Sequence, residues 1–101
     1  MNIENVFSSK IRIKILKILL QMGELNVSEI ARRLKVNYVT TSMHLKTLED
    51  EGIVLHKMFG RIRLYRLNEH SPKAKAVQNL IDTWEHADTN KLQRPIERED
   101  T

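Results

Sequence analysis

Between Val27 and Gly52 the chain reads VSEIARRLKVNYVTTSMHLKTLEDEG, and this stretch restricts the fold more than any other. Asn26, followed three residues later by Glu29, resembles a capping box with Asn in the place of Ser or Thr. It predicts a helix from about Val27 that carries Val27, Ile30, Ala31 and Leu34 inward, with Arg32, Arg33 and Lys35 in solvent or facing a partner. Asn37 offers a second cap, for a helix over about 38–51 with Leu45 and Leu48 as core positions and Gly52 as its stop. Two helices across so tight a turn have helix-turn-helix spacing.

The flanking segments supply a platform and a hairpin. Residues 6–22 predict one helix, with Ile11, Ile15, Leu16, Leu19 and Leu20 on one face and Gly23 at its end. Ile13 and Ile18 fall off that stripe, so this helix buries two sides. Val6 and Phe7 precede it as candidates for a further contact, with a second subunit among the options. After Gly52 the hydrophobic period changes from helical to alternating. Residues 53–59 and 62–67 then read as two strands around Gly60-Arg61, with Tyr65 and Leu67 toward the core and Ile62 and Leu64 on the other face. Ser71-Pro72 starts a last helix over about 72–88, where Val77, Leu80, Ile81 and Trp84 form a stripe. That stripe either closes the monomer core or pairs with a copy of itself. The organisation expected is a 1–70 domain, a C-terminal helix over 71–89, and a mobile tail over 90–101.

Charge places the partner near the helix pair. The chain carries a formal +4, and residues 1–70 alone hold 12 Lys or Arg against 7 Asp or Glu. A basic surface favours a polyanion. With 101 residues the chain is one small domain, and it has no cysteine, so disulfides and thiolate metal sites are excluded. His44, His56, His70 and His86 show no ligand spacing, no apolar run is long enough to span a bilayer, and no secretory signal is visible. Glycine-rich phosphate loops, a nucleophile with an evident base, and paired carboxylates in apolar settings are all missing from the sequence, so no enzyme activity is expected.

With Leu45 and Leu48 inward, a 100° step per residue turns Val39, Thr40, Met43, Lys46 and Thr47 outward, with His44 on the flank. Asn37 and Tyr38 sit at the N-terminal end, where a helix first meets a groove. Hydroxyls can bond any base and methyls can pack on thymine, so a face this low in charge suits a major groove better than bulk water. Neither Arg nor Gln occurs between 37 and 51, so sequence discrimination is modest or rests on apolar and shape readout. Arg61 and Arg63 at the hairpin tip, with Arg66 behind, suit a DNA backbone or a narrow minor groove.

Across residues 8–67 the sequence resembles the ArsR-type winged helix-turn-helix transcriptional regulators. SSKIRIKILKILL, NVSEIARRLKVNYVTTSMHLKTLEDEGIV and GRIRLYRLN carry the resemblance, and the run from His44 to Val54 is its most specific part. It implies a mainly α fold with a small β-hairpin: a three-helix core, a wing and a C-terminal dimerisation helix. It also implies a homodimeric repressor or regulator that binds double-stranded DNA, with the third helix in the major groove and the wing on the flanking backbone or minor groove; a cytoplasmic, nucleoid-associated location is expected, in keeping with the absence of cysteine. Asn37, Tyr38, Val39, Thr40, Met43, His44, Lys46, Thr47, Arg61 and Arg63 are then the DNA-binding candidates, and Val6, Phe7, Val77, Leu80, Ile81 and Trp84 the dimerisation candidates. Metal-sensing members carry cysteines where this chain has Asn26 and Ser28, and Asp82, His86 and Asp88 do not match the spacing of the family's other metal pattern. Neither a metal nor a cofactor is expected. Met43 stands where the family usually has arginine. Two other functions fit the same elements: a winged-helix protein-interaction module of a transcription or replication assembly, and a weakly specific architectural DNA-binding protein.

Overall fold

The computed structural model describes residues 2–93. The element order is α1 (Ile3–Phe7), α2 (Lys10–Met22), β1 (Glu24–Asn26), α3 (Val27–Leu34), α4 (Tyr38–Asp50), β2 (Val54–Phe59), β3 (Ile62–Leu67) and α5 (Pro72–Gln93). Helices dominate, and the three strands form one antiparallel sheet in the order β1-β3-β2.

The first helix expected over 6–22 is two helices. Ser9 adopts an extended backbone and its side chain accepts the Arg12 N–H at 3.2 Å, while the Ser8 hydroxyl donates to the Asn5 carbonyl at 3.1 Å. Serine side chains compete for backbone groups in this way, which ends α1 and starts α2. Gly23 closes α2 with its N–H on the Leu19 carbonyl, at a φ of 86° that a side chain would strain.

Both expected asparagine caps form. The Asn26 side chain accepts the Glu29 N–H at 2.7 Å, and Asn37 accepts the Thr40 N–H at 2.8 Å. Between them Lys35 takes the left-handed conformation (φ 58°), and the Val36 N–H reaches back to the Ala31 carbonyl at 3.0 Å. This is a Schellman-type end that turns the chain sharply from α3 into α4.

Strand β1 was not visible from periodicity, since three residues are too short to alternate. It pairs with β3 through Glu24↔Arg66, Leu25↔Tyr65 and Asn26↔Leu64, tying the sheet to the start of α3. The hairpin register runs from Val54↔Leu67 to Phe59↔Ile62, leaving Gly60-Arg61 as a two-residue turn. Gly60 has φ 62° while Arg61 does not, the pattern of a turn with glycine at its first central position.

One core joins these elements. Ile15, Leu16 and Leu19 of α2, Ile30 of α3, Leu45 and Leu48 of α4, Val54, Tyr65 and Leu67 of the hairpin, and Ala74 and Val77 of α5 are all buried. Ile13 and Ile18 pack against this cluster, as two-sided burial of the helix requires. Thr41, also fully buried, satisfies its hydroxyl by donating to the Asn37 carbonyl at 2.9 Å. The last helix continues to Gln93, past the expected end at 89, so the tail does not begin at 90, and the rest of it, 94–101, lies outside the described residues. Among the described residues no helix is long and apolar enough to cross a membrane.

Candidate nucleic-acid interface

The caps and core set the outward face of α4. With Leu45 and Leu48 sealed inside, Val39 and Met43 stand 67% and 64% exposed, beside half-buried Thr40 and Thr47, with exposed Tyr38 at the N-terminal end. The side chains are not equally available. Asn37 is engaged in its cap, Thr47 donates its hydroxyl to the Met43 carbonyl at 3.1 Å, and Lys46 lies 3.7 Å from Asp50. The acidic end of α4 is held in place by the protein itself: Glu49 pairs with His56 of β2, and Glu51 with Lys73 of α5 at 3.0 Å.

His44 faces inward more than the sequence suggested. Arg12 of α2 donates from one Nη to His44 Nδ1 at 3.0 Å and from the other to the Asn5 carbonyl of α1 at 2.6 Å. Arginine has no acceptor, so His44 Nδ1 must accept, and the imidazole is neutral with its proton on Nε2. Burial, then the Arg12 charge, holds its pKa below the ordinary histidine value. A lowered histidine pKa means that the unfolded chain binds the proton first as pH falls. The stability from this neutral ring is therefore complete above about pH 6.5 and is lost below it. Urea midpoints taken from pH 7.5 to 5.5 should decline in the parent and decline less in His44→Gln. Equal declines would remove His44 as a source. Arg12 thus bridges α1, α2 and α4, a role that sequence could not show because its partner lies 32 positions away.

On the hairpin, burial fades from Val54, fully buried, to the exposed Phe59, so β2 and β3 project as a wing. Arg61 is exposed at the turn. Arg63 has its positive charge reinforced first by a hydrogen bond to the Tyr65 side chain and more weakly by the field of Glu49. Two other basic groups of the sheet are paired, Lys57 with Glu24 at 3.5 Å and Arg66 with Glu69 at 4.0 Å. The exposed Met58 and Phe59 at the tip were not singled out by the sequence reading.

The dimerisation candidates gather around two neighbouring clefts. Val6 and Val77 are buried, Ile81 is half-buried, and Phe7, Leu80 and Trp84 are exposed. Phe7, Leu80 and Trp84 line a cleft of about 460 Å³ between α2 and α5, and Ile3, Val6 and Leu80 help line another of about 240 Å³. Among the described residues no cluster of His, Cys, Asp or Glu is placed to hold a metal ion.

A helix pair of this geometry with a projecting basic hairpin is the form of a winged helix-turn-helix. A family model for the bacterial regulatory proteins of the arsR family matches residues 9–55. The arsenical resistance operon repressor of Escherichia coli (strain K12) is 29% identical over 79 residues, covering 78% of this chain and 67% of the repressor. The chain carries an ArsR-family helix-turn-helix domain. Solved structures share the fold. HlyU from Vibrio cholerae N16961 superposes with a TM-score of 0.69 at 29% identity, over 79% of this chain and 84% of HlyU. The homodimeric winged helix-turn-helix DNA-binding domain of Mb0332 from Mycobacterium bovis shares the fold, with a TM-score of 0.68 at 24% identity over 94% and 82% of the two chains. The chain is therefore a DNA-binding transcriptional regulator, built on a mostly helical winged fold with a small three-stranded sheet.

Proposed function

We propose that this regulator acts in the cytoplasm, without enzymatic activity, as a homodimeric repressor that lays α4 in the major groove and the wing on the flanking DNA. The observation that carries the docking is the outer face of α4. Val39 and Met43 are largely exposed, Tyr38 and Thr40 adjoin them, and the first carboxylate of the helix is Glu49, already paired with His56. An exposed apolar-hydroxylic face has little reason to meet water and much to gain from base edges and thymine methyls. Asn37 holds the start of that face, Lys46 and Thr47 extend it, Arg61 and Arg63 address phosphate, and His44 orients the helix through Arg12.

The dimer follows from α5. Leu80, Ile81 and Trp84 continue the stripe of the buried Val77, and with Phe7, seated over the buried Val6, they make an apolar surface that one copy leaves largely uncovered. A two-fold pairing there would set two copies of α4 about one helical turn of DNA apart, roughly 34–36 Å. The repressor named arsenical resistance operon repressor supports the sign of regulation, and the homodimer of Mb0332 supports the assembly.

Two variants separate positioning from reading. Arg61→Ala, present in both wings of the dimer, is expected to weaken binding to all duplexes alike and to lower the salt slope by about 2. Thr40→Ala should leave that slope alone and change the ranking of sequences recovered from random DNA. If Arg61→Ala changes the ranking, or if neither variant alters binding, the proposed docking is incorrect.

A further inference from the structure

The wing tip carries more apolar surface than phosphate contacts require. Met58, Phe59 and Ile62 are 55%, 68% and 46% exposed, around a turn whose apex is Arg61. Register puts them on two faces. Phe59 pairs with Ile62, while Met58 pairs with Arg63 on the face that farther down bears the buried Val54, Tyr65 and Leu67. The tip is therefore apolar on both sides, and it stands at the end of two six-residue strands, about 20 Å long. A protein-docking sheet would show one apolar face. A two-sided apolar point with a cationic apex has the shape of a wedge.

Charge selects what the wedge enters. From Gly52 to Asn68 the sequence holds Lys57, Arg61, Arg63 and Arg66 and no carboxylate. Among the described residues Arg61 has no acidic partner, so the cation nearest to Phe59 across the turn is open to phosphate. Cations that grip the backbone beside an exposed aromatic or aliphatic side chain are the combination by which proteins pry base steps apart from the minor groove, kinking the duplex.

We propose that Phe59, backed by Ile62, is an apolar wedge that enters the minor groove between base steps and bends the DNA. This rests on the DNA-binding reading and deepens it. The wing bends its site as well as gripping it, so sequences with easily unstacked pyrimidine–purine steps under the tip bind better without any hydrogen bond to their bases. Phe59 is exposed, so its replacement leaves the core untouched, and thermal melts of the variants should match the parent.

The test is ring closure of mixed-sequence duplexes of about 150 bp, close to the persistence length, by the full chain, together with anisotropy titrations in salt. The parent should speed closure several-fold. Phe59→Ala should bring closure back to the rate of bare DNA and weaken binding roughly tenfold, with the salt slope unchanged because no phosphate contact is lost. Phe59→Leu should retain most of the bending, since leucine also serves as a wedge. A parent that binds without speeding closure overturns the wedge and leaves the DNA reading intact. The same holds if Phe59→Ala bends DNA as the parent does, which leaves the patch to a protein partner. A parent with no salt-dependent binding at all overturns both.

Discussion

Leu45→Ala should lose about 3 kcal/mol of stability and lower the melting temperature by roughly 15 °C. Leu45 is fully buried on the inner face of α4, within the cluster that includes Ile15, Leu16, Ile30, Leu48 and Tyr65. These side chains come from α2, α3, α4 and β3, so a cavity at 45 has rigid walls on several sides and little room to collapse. A domain of this size holds about 5–15 kcal/mol in total, so the variant would be left marginal. Met43→Ala, two positions earlier and outward, should stay within about 0.5 kcal/mol. Chemical denaturation at one fixed protein concentration compares the two, because association shifts apparent stability. Equal midpoints for the two variants would mean that α4 is rotated from the orientation described.

Trp84→Asp should turn a dimer into a folded monomer and reduce DNA affinity by about a hundredfold or more. Trp84 is 65% exposed in the single chain, so the substitution spares the core. In a two-fold interface each substitution occurs twice, and the new carboxylate would join Glu85 and Asp88, which line the same cleft. Losing the second α4 removes the gain from linked binding, typically 100-fold to 10,000-fold. Sedimentation equilibrium reads the mass and anisotropy reads the affinity. A variant that remains dimeric would put the interface elsewhere, and a parent that is monomeric at micromolar concentration would mean that α5 does not pair.

The features legible in the sequence were those with local causes. Asn26 and Asn37 announced their caps because a cap needs only a side chain and an N–H three residues away. The hairpin was legible because alternation and Gly60 act at short range. Features set by distant neighbours were not. Strand β1 exists because β3 pairs with it, and Glu24-Leu25-Asn26 alone has no periodicity. The break at Ser8-Ser9 was overridden by the hydrophobic stripe that runs across it, although two adjacent serines were a signal available to be read.

The site divided in the same way. The outward positions of α4 followed from helical geometry once Leu45 and Leu48 were inside. The inward turn of His44 depended on Arg12, whose side chain also fixes α1 through the Asn5 carbonyl, and nothing at position 44 announces that partner. The pattern placed Ile62 on the outer face, but the combined exposure of Met58, Phe59 and Ile62 at the tip emerges only when the hairpin is seen to outrun the core.

A basic wing and a helix face low in charge are expected to grip duplex DNA together. Anisotropy of a labelled duplex of about 30 bp, titrated with the full chain between 50 and 200 mM salt, tests it most directly. Phosphate neutralisation releases counterions, with about 0.9 added to the log–log slope per contact. Two wings and two helices should therefore lose at least about a hundredfold in affinity across that range. An affinity that stays flat over the same range would mean that wing and helix neutralise no phosphate and that DNA is not the partner.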